Sequence, residues 1–175
     1  MNAHTNFDLT DKIVLVTGGT KGIGYGIVRQ MLQANAKVAL TSRTASECSD
    51  TAEALNTEYA PGEDRAIGIA CDLSDLSALQ TLVDTVLARW GRIDALVCNA
   101  ADTGEATTID DAPLDRLSEM LNTNIVNNFA LARSVAKPML ERGDGSITFI
   151  TSIAASTPMP SNVAYAAAKS GLASL

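Results

Sequence analysis

Histidine is nearly absent from this sequence: a single copy, His4, stands in the N-terminal tail. That scarcity argues against a histidine-based catalytic triad and against a histidine-rich metal site. Cysteine is sparse as well. Cys48, Cys71 and Cys98 are odd in number and form no CxxC pair. Cys71 and Cys98 close apolar runs, so they read as buried, reduced thiols of a cytoplasmic protein. Five prolines and 4% aromatic residues argue against a β-rich sandwich studded with turns. No run approaches the ~18 apolar residues of a membrane-crossing helix, and no membrane partner is expected. The opening Met1–Asn6 has neither the basic nor the apolar region of a secretory signal. Positive charge is in deficit, 13 Lys+Arg against 20 Asp+Glu for a net charge of -7, which speaks against nucleic acid as a partner. An acidic protein still binds an anion locally where a few basic side chains and helix N-termini surround it.

What is present is ordinary globular material. Hydrophobic residues make up 46% and charged residues 19% of 175 positions, enough for one domain, 1–175, with one substantial core. Short β-branched or apolar runs alternate with segments of helical spacing. Strands are expected at 12–17, 37–42, 65–71, 93–98 and 145–151. Helices are expected from Ile23 to about Asn35, over 47–58 and 77–90, as one long segment from Pro113 to Leu140, and from about Asn162 onward. Strands separated by helices through short connections imply parallel βαβ units with a sheet covered on both faces. The fold class is therefore α/β, a doubly wound, Rossmann-like parallel sheet in three α/β/α layers. Periodicity alone leaves a flavodoxin-like arrangement equally open.

The motifs are more specific. Thr17-Gly18-Gly19-Thr20-Lys21-Gly22-Ile23-Gly24 falls between the first strand and the first helix. Glycines at 18, 22 and 24 let the backbone turn tightly and approach a bulky anion, and the next helix aims its free N–H groups at it. A tight turn without any ligand is the plain alternative. Dinucleotide sites that bind NAD usually carry an acid about 20 residues on, at the end of the second strand. Ser42 and Arg43 stand there instead, with no acid before Glu47. A guanidinium binds a 2′-phosphate in a fork where a carboxylate would repel it. Lys21 can reach the same phosphate, so the pair favours NADP(H).

Tyr165-Ala166-Ala167-Ala168-Lys169 sets a phenol and an ammonium at i and i+4 on one helical face. A nearby cation stabilises a phenolate and turns a phenol into a usable acid–base group. A packed tyrosine beside a solvent-facing lysine is the alternative for this motif by itself. Ser152, thirteen positions earlier at the end of the fifth strand, lies where open α/β sheets bind ligands, and its hydroxyl could steady a substrate oxygen.

In this order the residues resemble the short-chain dehydrogenase/reductase family, in its NADP(H)-preferring form, over nearly the whole chain from Lys12. Thr17 to Gly24 matches the family's TGxxxGxG turn. Asp72, followed by Leu73, matches the acid that holds the adenine amino group. Asn99-Ala100-Ala101 falls where the family carries NNAG, with Cys98 in place of the first asparagine. Asn124 matches the catalytic asparagine, and Ser152, Tyr165 and Lys169 complete the tetrad. The resemblance implies an NADP(H) cofactor held by Gly18, Thr20, Lys21, Gly22, Ile23, Gly24, Ser42, Arg43, Asp72, Leu73, Asn99, Ala100, Tyr165 and Lys169. It assigns Tyr165 as acid/base, Lys169 as its electrostatic support and ribose ligand, Ser152 as carbonyl orienter and Asn124 as holder of a relay water. It also implies last strands and a nicotinamide loop beyond Leu175, so the chain reads as a C-terminally truncated form of the family domain. The expected activity is hydride transfer between NADPH and a small carbonyl or alcohol substrate. The alternatives are a non-catalytic NADP(H)-binding module and an inactive fragment of a longer reductase. Fifth-strand and last-helix surfaces left apolar point to a homo-oligomer, a dimer or tetramer.

Overall fold

The computed structural model describes residues 7–157 and 159–175; His4 and the rest of the N-terminal tail expected to lack a signal lie outside the described residues. Five parallel strands, β1 (Ile13–Val16), β2 (Lys37–Ser42), β3 (Ala66–Ala70), β4 (Ala95–Cys98) and β5 (Ser146–Phe149), form one sheet in the order β3-β2-β1-β4-β5. The register runs Val14 beside Val38 on one side and Val14 beside Ala95 on the other. This is the Rossmann-like doubly wound sheet expected from the alternation of elements.

The alternation of side chains along β1 separates the two faces. Ile13 and Leu15 enter one core with Leu79, Leu82, Val83 and Val86 of α3 (Leu76–Trp90) and Leu131 and Val135 of α5 (Asn128–Arg142). Val14 and Val16 enter the other with Val28 and Leu32 of α1 (Gly22–Gln33) and Ala52 and Leu55 of α2 (Ala45–Tyr59). Because successive side chains of a strand point to opposite faces, a four-residue β1 supplies both cores, and all four of its residues are buried. Strand β2 spans the expected 37–42, whereas the other four are two or three residues shorter than the sequence runs that predict them.

The largest difference from the sequence reading lies in the long segment over 113–140. It is two α-helices, α4 (Leu114–Leu121) and α5, joined by a wide π-helical turn, Asn122–Asn127. Four asparagines fall at 122, 124, 127 and 128. The Asn128 side-chain carboxamide donates through Nδ2 to the backbone carbonyls of Thr123 (3.3 Å) and Asn124 (3.0 Å), drawing backbone acceptors out of the regular ladder. Such local bonds compete with α-helical pairing and accompany π-turns at functional sites. Apolar periodicity carries no sign of this, because it reports which face is buried and not the width of one turn. The last helix, α6 (Val163–Leu172), packs Ala164 and Ala168 on Met120 of α4. The apolar residues of β5 are only half-buried, as expected for that strand, whereas α6 buries Ala164, Ala168 and Leu172.

At the amino ends of the strands a buried carboxylate pins three elements. Asp94 accepts from the Ile13 amide (2.8 Å) and from Arg92 Nε (3.0 Å), while Arg142 Nη2 lies 3.5 Å away at the end of α5. The same Arg142 nitrogen donates to Ile93 O (3.0 Å). Removing the carboxylate would strand the buried Ile13 amide and take an ion-pair partner from two guanidiniums that keep carbonyl partners, so Asp94→Ala is expected to cost about 2–3 kcal/mol in urea unfolding. A loss below about 0.5 kcal/mol, the range of an ordinary surface substitution, would show that the cluster is dispensable.

Candidate active site

The polar cleft of the molecule opens at the carboxyl ends of the strands. It encloses about 440 Å³ between the β1 turn, the end of β2, the loop after β3 and the loop after β4. Gly18, Thr20, Lys21, Ser42, Arg43, Asp72, Leu73, Asn99 and Ala100, all singled out from the sequence, line it. Gly22, Ile23 and Gly24 form the first turn of α1 beside it. Lys21 precedes that helix in extended conformation, with no side chain capping the helix and no acidic residue in its first turn. The first N–H groups of α1 are therefore left for a ligand, the arrangement that suits a phosphate.

The glycines are required for different reasons. Gly22 has φ of 58° and open space where a Cβ would lie. Gly24 has ordinary dihedrals, but a Cβ there would collide with Gly18 O and come within 2.5 Å of Asn99 Nδ2. The Asn99 carboxamide is wedged against this turn, donating to Thr17 O (2.9 Å) and Gly18 O (3.1 Å). The buried Thr17 hydroxyl in turn accepts from the amides of Asn99 and Ala100, both at 3.0 Å. Strands β1 and β4 are thus locked together at the carboxyl ends of the strands, where open α/β sheets bind ligands.

At the β2 end, Ser42 Oγ donates to Glu47 Oε2 (3.3 Å) and accepts from the Thr44 amide (3.1 Å). Arg43 is exposed, and neither it nor Lys21 has an ion-pair partner among the described residues. Asp72 Oδ1 accepts from the amide (2.9 Å) and hydroxyl (2.8 Å) of Ser74. Those two bonds hold its carboxyl below the usual carboxylate range, so it faces the cleft as an anion and an acceptor.

The second half of the site is carried by α6 and the segment after β5. Ser152 begins a 3-10 turn, Ile153–Ala155, and its hydroxyl accepts from the Ala154 amide (3.2 Å). Helix α6 is fastened to this segment twice: Lys169 Nζ donates to Ile150 O (2.7 Å) and Ser170 Oγ to Ala155 O (2.8 Å). Lys169 is 3% exposed, and its Nζ lies 5.7 Å from the centroid of the half-buried Tyr165 ring. Burial pushes the Lys169 ammonium below the ordinary lysine range, with Cys98 opposing the shift. Cys98 itself is pushed up to about 12 by burial, so it stays a neutral thiol. Asn124 is fully buried in the π-turn; its carboxamide donates to Asp102 O (2.7 Å) and accepts from Asp102 N (2.8 Å).

This arrangement can be set beside known proteins. A family model described as short chain dehydrogenase matches residues 12–175. The chain belongs to the short-chain dehydrogenase family. It is 33% identical over 172 residues to a D-threitol dehydrogenase of Mycolicibacterium smegmatis, covering 98% of this chain and 64% of that protein. It is 34% identical over 164 residues to the ketoacyl reductase HetN of Nostoc, covering 94% of this chain and 55% of that protein. Among solved structures it is similar to a metagenomic short-chain oxidoreductase in complex with NADP, with a TM-score of 0.86, 29% identity and coverage of 94% and 73%. It is also similar to a levodione reductase, with a TM-score of 0.88, 26% identity and coverage of 94% and 63%. The chain spans less than two thirds of the length of these curated relatives.

Within this short-chain dehydrogenase frame, Thr17 gains a hydroxyl role that its place in the TGxxxGxG turn did not show, and Thr41, Asn127 and Asp102 carry the site without having stood out in the sequence. Thr17 and Thr41 organise the glycine turn: Thr17 through its hydroxyl, Thr41 by accepting from Gly19 N through its carbonyl (2.8 Å). Asn127 donates to Leu73 O (2.9 Å) and so holds the loop carrying Asp72. Asp102 lines the cleft and pairs with Arg116 at 3.1 Å. A threonine closing a buried strand is a weak sequence signal; the partners of Asn127 and Asp102, 54 and 14 positions away, give none.

Two outcomes follow for variants. Gly24→Ala is expected to cost about 3 kcal/mol through overpacking against backbone, whereas Gly22→Ala costs about 1–2 kcal/mol for its left-handed φ alone. Thermal and urea unfolding decide, and a reversed order would contradict the packing. Lys169→Met is expected to raise stability at neutral pH by removing a buried charge. Between the lowered folded value of Lys169 and its unfolded value of 10.5, the unfolded chain binds more protons. Stability of the unsubstituted chain therefore rises with pH across that window, and Lys169→Met should flatten the rise. An unchanged pH profile in the variant would refute the burial cost.

Proposed function

We propose that the chain carries the cofactor-binding and acid–base machinery of an NADPH-dependent reductase of a ketone or aldehyde, which acts in reverse as an alcohol dehydrogenase. The observation that carries the reading is the pairing of an uncapped α1 terminus with two cations, Lys21 and Arg43, in one cleft, neither cation forming a salt bridge among the described residues. A pyrophosphate fits the helix terminus and a 2′-phosphate fits the cations. The solved neighbour in complex with NADP supports that choice of cofactor. The names of the relatives, a threitol dehydrogenase, a ketoacyl reductase and a levodione reductase, support a small alcohol or carbonyl substrate.

NADPH, when bound, supplies the hydride. Gly18, Thr20, Gly22, Ile23 and Gly24 would hold its pyrophosphate, with Ser42, Arg43 and Lys21 on the 2′-phosphate. Asp72, Leu73, Asn99 and Ala100 would take the adenosine. Tyr165 donates the proton that the substrate oxygen gains, and the Ser152 hydroxyl steadies that oxygen as charge develops. Lys169 keeps a cation beside the phenol and binds the ribose. Asn124 spends its carboxamide on Asp102, so a relay water would rest on its backbone carbonyl, which keeps a lone pair beside the Asn128 bond. The chain acts as one domain of a cytoplasmic homo-oligomer. Val126 and Phe129, each 49% exposed, give the helical face of α4 and α5 an apolar contact area.

Fluorescence titration tests the reading. NADPH is expected to bind at least about tenfold tighter than NADH, and Arg43→Asp to weaken NADPH far more than NADH. Tyr165→Phe should keep NADPH binding while carbonyl reduction is lost. Equal losses of both cofactors on Arg43→Asp, or full turnover in Tyr165→Phe, would overturn the assignments.

A further inference from the structure

One side chain joins the two halves of the site. Asn162 caps α6: its Oδ1 accepts from the backbone amide of Tyr165 at 3.3 Å. Its Nδ2 donates to Thr103 O at 2.9 Å, 59 positions away in the loop after β4. The orientation of the carboxamide is fixed by its partners, since exchanging oxygen and nitrogen would oppose two donors and two acceptors. The backbones run together here too, in an isolated parallel bridge between Thr107 and Asn162.

The loop that Asn162 grasps is itself held from behind. Asp102 and Thr103 line the cleft, and Asn124 clamps both the amide and the carbonyl of Asp102. A continuous line of bonds therefore runs from Asn124 through Asp102 and Thr103 to Asn162 and the Tyr165 amide. We infer that Asn162 is a positioning residue, tying the acid–base tyrosine to the loop that lines the cofactor cleft. This role rests on the reductase reading for its purpose, though not for its geometry.

The residue type follows from the double task. Serine, threonine and aspartate cap a helix as well as asparagine does. Ionised aspartate has no donor for Thr103 O, and serine is too short to serve both partners. Glutamine has donor and acceptor, but its added methylene moves the oxygen off the capping position. A residue that only capped α6 would be replaceable by serine. A residue that links loop to helix would not.

That contrast gives the experiment, with Asn162→Ser and Asn162→Ala compared in the full chain. Amide hydrogen exchange is followed first without cofactor. Asn162→Ser is expected to keep the protection of the Tyr165 amide, because the side-chain cap survives. Segment 102–107 should exchange about tenfold faster, roughly the effect of one lost hydrogen bond. Asn162→Ala should lose protection at both places. In carbonyl reduction, Asn162→Ser should lower kcat about tenfold with the NADPH Kd within about twofold, since a misplaced proton donor slows chemistry without touching the phosphate contacts. Wild-type exchange in segment 102–107 together with wild-type kcat in Asn162→Ser would reduce Asn162 to a helix cap and overturn the inference. Failure of the unsubstituted chain to bind NADPH would instead sink the reductase reading, and the cofactor-free exchange would still decide the link.

Discussion

The arrangement at the carboxyl end of the sheet depends on how closely α1 approaches the turn that precedes it. With hydrogen alone at Gly24, the helix start lies against Gly18 O, and the Asn99 carboxamide closes the remaining space. A methyl group would push the helix outward and carry its unpaired N–H groups away from the cleft. Because Asn99 also belongs to the end of β4, the same contact fixes the spacing between β1 and β4. Thr17 completes the lock by taking two amides that have no ladder partner at the point where the strands part. The end proposed to bind phosphate is therefore built by backbone and carboxamide contacts before any ligand arrives, which would lower the ordering cost of binding.

Asparagine supplies many of the links between loops. Asn99, Asn124, Asn127 and Asn162 each bond a backbone group far away in sequence, joining β4 to β1, the π-turn to the β4 loop, the π-turn to the β3 loop and α6 to the β4 loop. A carboxamide offers a donor and an acceptor without charge, so it can satisfy two loop groups at once in a half-buried setting. Each bond contributes only about 1 kcal/mol net, but an abandoned buried partner costs about 1–3 kcal/mol. Loops held this way have few alternatives of similar energy, which is the property that the proposed hydride transfer would need from them.

The sheet, its parallel order and the positions of Tyr165 and Lys169 on one helix were legible because apolar period, glycine spacing and chain order agree with one another. β1 illustrates the point: IVLV is apolar throughout, and both of its faces are covered. The π-turn was not legible, since hydrophobic period reports which face is buried and says little about a single widened turn. Nor was Asp102, whose importance comes from Asn124 and Arg116 meeting it in three dimensions. The order of Ser152, Tyr165 and Lys169 could be read in sequence, but the two bonds that hold α6 to the Ser152 segment could not. Local pattern specifies elements; long-range polar bonds between loops specify where the elements stop and what they face.

Charge in the cleft shows why composition misleads at this scale. Of its charged lining residues, Lys21 and Arg43 are cations, while Glu47, Asp72 and Asp102 are carboxylates. Counted as a sum, that set disfavours a phosphate. The hydrogen-bond partners reverse the balance: Asp72 is bonded by Ser74, Asp102 by Arg116 and the Gly104 amide, and Glu47 by Ser42. Each carboxylate already points part of its charge at a protein donor, and the two cations have no such ion-pair outlet among the described residues. An incoming 2′-phosphate would thus meet unpaired cations and largely satisfied anions. Glu47 is the exception in kind, because its partner is the Ser42 hydroxyl that the same phosphate would recruit. The proposed preference for NADPH over NADH would then turn on a local exchange, in which Arg43 and Ser42 must together gain more from the phosphate than Ser42 loses by releasing Glu47. At a separation of about 4 Å and an effective dielectric of ~20, one cation–phosphate contact is worth about 4 kcal/mol before desolvation. Desolvation and salt reduce such an exposed contact to about 1 kcal/mol net, so for the exchange to run toward the phosphate Lys21 and Arg43 would have to engage it together against the single Ser42–Glu47 bond at 3.3 Å.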